Sequence, residues 1–169
     1  QMVQKAIDAG LTVVVAAGND GDRGAGSIAT PGISPNAITV GGVDDRGTPD
    51  PSDDQLYSKS SQGPTPFDRL HKPDVLAPAV NVYSTVSPGS GLDDRSKPRL
   101  PGDYIAMDGT SMATPAVAGL VALLKQARPD LSPMELKAIL QQSVYQGDPR
   151  LPIVQADAAL ELAQEWRAA

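Results

Sequence analysis

Gly109-Thr110-Ser111-Met112-Ala113-Thr114-Pro115-Ala116-Val117-Ala118-Gly119-Leu120-Val121-Ala122-Leu123-Leu124 begins as a glycine and two hydroxyl residues and continues as small and aliphatic side chains. The run predicts a helix over residues 111–126. Ala113, Ala116, Ala118, Gly119 and Ala122 are small enough for a neighbouring backbone to approach closely, while Leu120, Val121, Leu123 and Leu124 supply core volume. A helix that is apolar nearly all round is expected to be central and buried. Its first turn presents unpaired N–H groups and the positive end of the helix dipole. A serine hydroxyl placed there can attack a carbonyl, and the serine's own N–H can hold the oxyanion that results. The plainer alternative is that Thr110 or Ser111 only caps the helix. Pro115 lacks a donor, which costs little so near the helix start.

Far upstream stands Val15-Ala16-Ala17-Gly18-Asn19-Asp20-Gly21. Residues 11–17 are a continuous apolar, β-branched run, the pattern of a strand buried on both faces of a parallel sheet. An asparagine just past such a strand lies at the carboxyl edge of the sheet, where α/β proteins build their sites. Its amide donates hydrogen bonds without carrying charge, which suits an oxyanion present only in the transition state. Turn chemistry is the alternative, since Gly-Asn-Asp-Gly also makes a good loop.

The string Gly109 to Pro115 resembles the nucleophile motif of the subtilases. Val15 to Gly21 resembles the oxyanion-hole segment of that family, in the same order along the chain. Further similarity lies in Ala29-Thr30-Pro31-Gly32, Ile38-Thr39-Val40-Gly41, Ser60-Ser61-Gln62-Gly63-Pro64 and Lys72-Pro73-Asp74-Val75-Leu76-Ala77-Pro78, with Ala79 where the family usually has glycine. The resemblance extends from Val13 to about Ser143. It implies an α/β fold, part of the parallel-sheet, three-layer α/β/α subtilisin-like architecture. Residues 1–169 would form the C-terminal portion of a subtilase catalytic domain.

The implied activity is that of a serine endopeptidase acting on protein or peptide substrates. Ser111 would be the nucleophile and Asn19 the oxyanion-hole donor. Gly109 and Thr110 would support them, with Thr110 orienting Asn19. Ala17, Gly18, Ala29 and Thr30 would line the substrate pocket. No cofactor is implied; calcium is common in the family, but no site for it is assigned here.

A serine hydroxyl is a weak nucleophile without a base, and in this family the order is Asp, His, Ser. Eighteen residues precede Asn19, none of them histidine. The single histidine, His71, lies outside the His-Gly-Thr-His context of the family and reads as a surface residue. The segment alone is therefore expected to be inactive, requiring an absent N-terminal half or pairing with itself through exposed strand edges. The alternative is a non-catalytic remnant or interaction module that keeps the fold. A different serine hydrolase is disfavoured, because no Gly-x-Ser-x-Gly elbow is present.

Around these motifs, residues 2–9 read as a short helix closed by Gly10. Residues 37–43, 73–78 and 80–86 read as strands, and residues 87–102 as a surface excursion. Ser132, Pro133 and Glu135 open a helix to about Ser143, and a last helix covers residues 155–166. This order indicates α/β architecture.

With 40% apolar residues but only 4% aromatic, the core must be built from Ala, Val, Leu and Ile. The net charge of -6, without a basic cluster, argues against nucleic acid. No run is long enough for a membrane helix, no leader is visible at the N-terminus, and the lack of cysteine excludes thiolate chemistry. Asp44-Asp45, Asp50, Asp53-Asp54 and Asp93-Asp94 lack the spacing of a calcium loop and read as solvated loop charge.

Overall fold

The computed structural model describes residues 2–167. In chain order the elements are α1 (Met2–Asp8), β1 (Val14–Ala16), β2 (Ile38–Asp44), β3 (Gln55–Leu56), β4 (Val75–Pro78), β5 (Val82–Thr85), β6 (Arg99–Leu100), β7 (Tyr104–Met107), α2 (Thr110–Ala127), α3 (Pro133–Gln142) and α4 (Ala156–Glu165).

Strand β2 is the axis of the fold. It pairs in parallel with β1, from Val14–Ile38 to Ala16–Val40, and with β4, from Val40–Val75 to Val43–Pro78. Strand β3 adds an antiparallel pairing at Val43 and Asp44. All of β2 except Asp44 is buried, as expected of a strand covered on both faces. Ile38, Val40, Val75 and Ala77 pack with Val117, Leu120 and Leu124 of α2, with Leu136, Ile139 and Leu140 of α3, and with Ala159 and Ala163 of α4. On the opposite parity, Val43 and Leu76 meet Ile153. The Leu76 backbone is held there between Pro152 and Val154. The result is the mixed α/β architecture that the motifs imply, with three helices on one face of the sheet.

Several boundaries follow from local chemistry. Helix α3 begins with a full capping box: the Glu135 N–H donates to Ser132 Oγ, the Glu135 carboxylate accepts from the Ser132 N–H, and Pro133 follows the cap. Gly10 takes φ 88° just past α1, the left-handed geometry of a helix terminator. Asp44, Asp45, Asp50 and Asp94 each accept the backbone N–H two residues on, so these carboxylates shape turns. Asp93 accepts from Gly89 N and from Arg99 at 2.8 Å, tying down the excursion after β5. Its carboxyl is held below the usual range by the Gly89 hydrogen bond first, then by Arg99.

The structure corrects two expectations. Helix α2 is not buried all round. Thr110, Ala113, Val117, Leu120, Val121 and Leu124 are buried, but Pro115, Ala116, Ala118, Gly119, Ala122 and Leu123 are exposed, Leu123 to 61%. Nothing lies within 4 Å of where a Gly119 side chain would start. Strand β1 is shorter than the apolar run and only half-buried, with Leu11 60% exposed. Among the described residues it has one strand neighbour, so its other edge is open.

A second sheet, β5-β7-β6, is antiparallel throughout. The sequence reading made no strand of β7, and it placed β6 inside an irregular excursion. Strand β7 carries the chain into Gly109.

Candidate active site

The site forms where β1 ends and α2 begins. Gly109 has φ 138°, a conformation that side chains disfavour. A Cβ there would stand 3.4 Å from Asn19 Nδ2. The Gly109 N–H donates to Ala79 O at 2.8 Å, anchoring the turn to the end of β4.

Gly109 precedes the helix and has no side chain to cap it. Thr110 and Ser111 are the first two helical residues, so neither is the cap. Thr110 is fully buried. Its N–H and its hydroxyl both donate to Asn19 Oδ1, at 3.0 and 3.2 Å, and the hydroxyl oxygen accepts from Gly18 N at 3.3 Å. Thr114 turns its hydroxyl onto Thr110 O at 2.8 Å. One threonine thus ties the helix start to the strand end, across 91 residues of chain.

This grip sets the direction of Asn19. With Oδ1 engaged by Thr110, the amide nitrogen is the remaining hydrogen-bonding end, and it donates to no group among the described residues. Asn19 is exposed, as is Ser111, the residue after Thr110. An exposed asparagine and an exposed serine in the first turn of a long helix are thus linked through Thr110.

The segments around Asn19 are braced. Gly18 has φ 108°, and a Cβ on it would come 2.8 Å from Ala29 Cβ. Ala29 N donates to Ala17 O at 2.8 Å, so Ala17, Gly18 and Ala29 form one wall. Thr30 follows, exposed, in a cis peptide with Pro31. It lies on a groove shared with Met2, Val3 and Ile33, on the α1 side.

Ser61 supports the asparagine from both sides. Its N–H donates to Gly18 O at 2.9 Å and its Oγ accepts from Asp20 N at 3.0 Å. The resemblance of Ser60-Ser61-Gln62-Gly63-Pro64 to the family did not show what the segment touches. His71 is exposed and lines a different cleft, with Gln62, Pro73 and Arg150.

The chain is similar to known proteins in sequence and in fold. The Subtilase family profile matches residues 1–160. Serine protease AprX of Bacillus subtilis (strain 168) is 48% identical over 140 residues, covering 82% of this chain and 31% of that protein. Among solved structures, proteases from Pseudoalteromonas arctica align with TM-score 0.70 at 31% identity, over 95% of this chain and 45% of that one. Fervidolysin from Fervidobacterium pennivorans, described as a keratinolytic enzyme related to subtilisin, aligns with TM-score 0.74 at 26% identity, over 94% of this chain and 24% of that one. The chain thus spans a quarter to a half of the length of these relatives. The profile match over nearly all of the sequence, together with the motifs and their meeting point in space, shows that this chain belongs to the subtilase family.

Proposed function

We propose that the chain is the serine-bearing, C-terminal portion of a subtilisin-like serine endopeptidase, with Ser111 as nucleophile and Asn19 as oxyanion-hole donor. The observation that supports this reading is the double hydrogen bond from Thr110 to Asn19 Oδ1, which ties the asparagine to the residue before Ser111 and leaves its amide nitrogen without a partner among the described residues. Ser111 Oγ attacks the scissile carbonyl and the bond to the leaving nitrogen breaks. Asn19 Nδ2 and the Ser111 N–H hold the oxyanion, and water then hydrolyses the acyl-enzyme. Ala17, Gly18, Ala29 and Thr30 border the pocket for the substrate side chain. The proton of Ser111 needs a base, and the one histidine of the sequence lies elsewhere. The base and its orienting carboxylate are therefore assigned to a further polypeptide segment, without which this portion is inactive.

The same segment is assigned to the open edge of β1 and the small-residue face of α2, which nothing among the described residues covers. A strand added beside β1 satisfies its free N–H and C=O groups, and a helix can approach Ala116 and Gly119 closely. Leu123→Glu is expected to abolish capture of an Asp- and His-bearing subtilase segment while leaving the circular dichroism of the chain unchanged. Capture at undiminished affinity would remove α2 from the interface, and a homodimer that resists the substitution would favour self-pairing through β1.

A fluorophosphonate probe tests the chemistry. Labelling of Ser111 is expected once the complementary segment is present, and none after Ser111→Ala. An assembled, folded protein that takes up no label would instead be the non-catalytic remnant. In the active assembly, Thr110→Val keeps the shape of the side chain and the backbone N–H bond to Asn19, but removes the hydroxyl bond to Asn19 and strands the Gly18 N–H. The expected result is a drop in kcat of about tenfold, or about 1.4 kcal/mol, with little change in KM.

A further inference from the structure

Behind the wall of the site lies a group of buried charges that the proposed chemistry does not use. Lys72, Asp74 and Lys137 are 6%, 8% and 7% exposed. Lys72 Nζ meets Asp74 Oδ2 at 2.6 Å and Lys137 Nζ meets Asp74 Oδ1 at 3.1 Å. Gln141 donates to Oδ1 as well, at 3.0 Å. Two ammonium groups therefore share one carboxylate inside the protein, and no other charged side chain among the described residues pairs with them. Buried charge without a full complement is costly, and this cluster holds one positive charge too many.

The cluster also grips backbone. Lys72 and Lys137 both donate to Ala37 O, and Lys137 also to Pro35 O. Asp74 Oδ2 accepts from Thr39 N at 2.7 Å, and Asp74 N donates back to Thr39 O at 2.8 Å. The Thr39 hydroxyl then donates to Gly32 O at 2.8 Å, in the turn that follows Ala29. Polar contacts thus run from the buried charges to Gly32, three residues along the chain from Ala29, whose N–H donates to Ala17 O.

We propose that Lys72, Asp74 and Lys137 form a proton-linked clasp that positions residues 35–39 and, through Thr39 and Gly32, the wall of the substrate site, and that the clasp tightens when a buried ammonium group releases its proton. The assignment of that wall rests on the function proposed above. Burial first, and the Lys137 charge in addition, push Lys72 down from 10.5 to about 8. The folded pKa lies below the unfolded one. Between about pH 8 and 10.5 the unfolded chain therefore holds a proton that the folded chain has lost, and stability rises with pH across that window. Below it the surplus charge is present in full.

The test is a ¹³C titration of lysine-labelled protein from pH 6 to 11, with the Lys72 Cε signal identified by its loss in Lys72→Met, or in Lys72→Arg should the first variant not fold. A midpoint near 8 is expected. The Ala29 and Thr39 methyl signals should move with the same midpoint, and Lys137→Met should shift that midpoint upward. The folding equilibrium constant of the wild type, relative to Lys72→Met, should grow on the order of a hundredfold from pH 8 to 10.5. A Lys72 midpoint at the ordinary value of about 10.4, or one unmoved in Lys137→Met, overturns the linkage. Methyl signals that stay still while Lys72 titrates overturn the positioning role. None of these measurements needs peptidase activity, so an inactive protein leaves the clasp standing, and a static wall sinks it even in an active enzyme.

Discussion

Ser111→Ala in the assembled protease is expected to lower kcat by about 10⁶-fold and leave KM within a few-fold, the magnitude known for removal of a triad nucleophile in subtilisin. The size follows from mechanism: without Oγ no acyl-enzyme forms, and what remains is the modest catalysis given by binding and the oxyanion site. The structure explains why folding should be spared. Ser111 is exposed in the first turn of α2, its hydroxyl holds no other group among the described residues, and alanine is at least as good a helix former. The thermal midpoint should therefore shift by no more than about 0.5 kcal/mol of stability allows. Steady-state kinetics with a chromogenic peptide checks the first statement and calorimetry the second. A variant that turns over substrate at a near wild-type rate would end the nucleophile assignment.

Asn19→Ala is expected to cost about 10²–10³ in kcat, the loss associated with one oxyanion donor. The substitution also removes the acceptor for Thr110, so two effects are mixed. Asn19→Asp separates them. It keeps an oxygen for the Thr110 N–H and hydroxyl but replaces the outward amide with a carboxylate oxygen. If Asn19 acts as an oxyanion donor, the aspartate variant is at least as impaired as the alanine variant, because a negative charge now faces the developing one. If Asn19 matters only as a strut for Thr110, the aspartate variant recovers most of the lost rate. The comparison of the two kcat values under one set of conditions decides between these roles.

What could be read from the chain depended on how local its causes are. The capping box of α3 and the terminator Gly10 involve residues within one turn of each other, and both were legible. Residues Gly109 to Pro115 and Val15 to Gly21 were legible as contiguous strings that resemble the subtilase motifs, although distant groups hold both in place. Strands β3, β6 and β7 were missed for the opposite reason. Two- to four-residue strands have too few positions to show alternation, and their pairing is decided by partners elsewhere. The brace from Ser61 to Gly18 and Asp20 joins positions some 40 apart, and nothing in either string announces it.

The largest misreading concerns burial. A helix of small and aliphatic residues looks central whether or not a neighbour exists for every face, so the open side of α2 could not be foreseen. Lysine is rarely buried, and Lys72 gave no sign of being inside. Its burial depends on Asp74 and Lys137, and Lys137 lies 65 residues further on, in a different element.

The bond between Thr110 and Asn19 also has a history in time. A ribosome adding 5–20 residues per second takes roughly 5 to 20 s to pass from one partner to the other. Closing a loop of that length carries an entropic charge of about 4 kcal/mol, which no neighbouring contact offsets until β1, β2 and β4 are aligned. During synthesis the asparagine therefore exists for seconds without the threonine that aims it. The Thr110–Asn19 pairing is assembled late, as a property of the finished sheet, and a nascent or half-refolded chain carries both motifs without the bond that joins them.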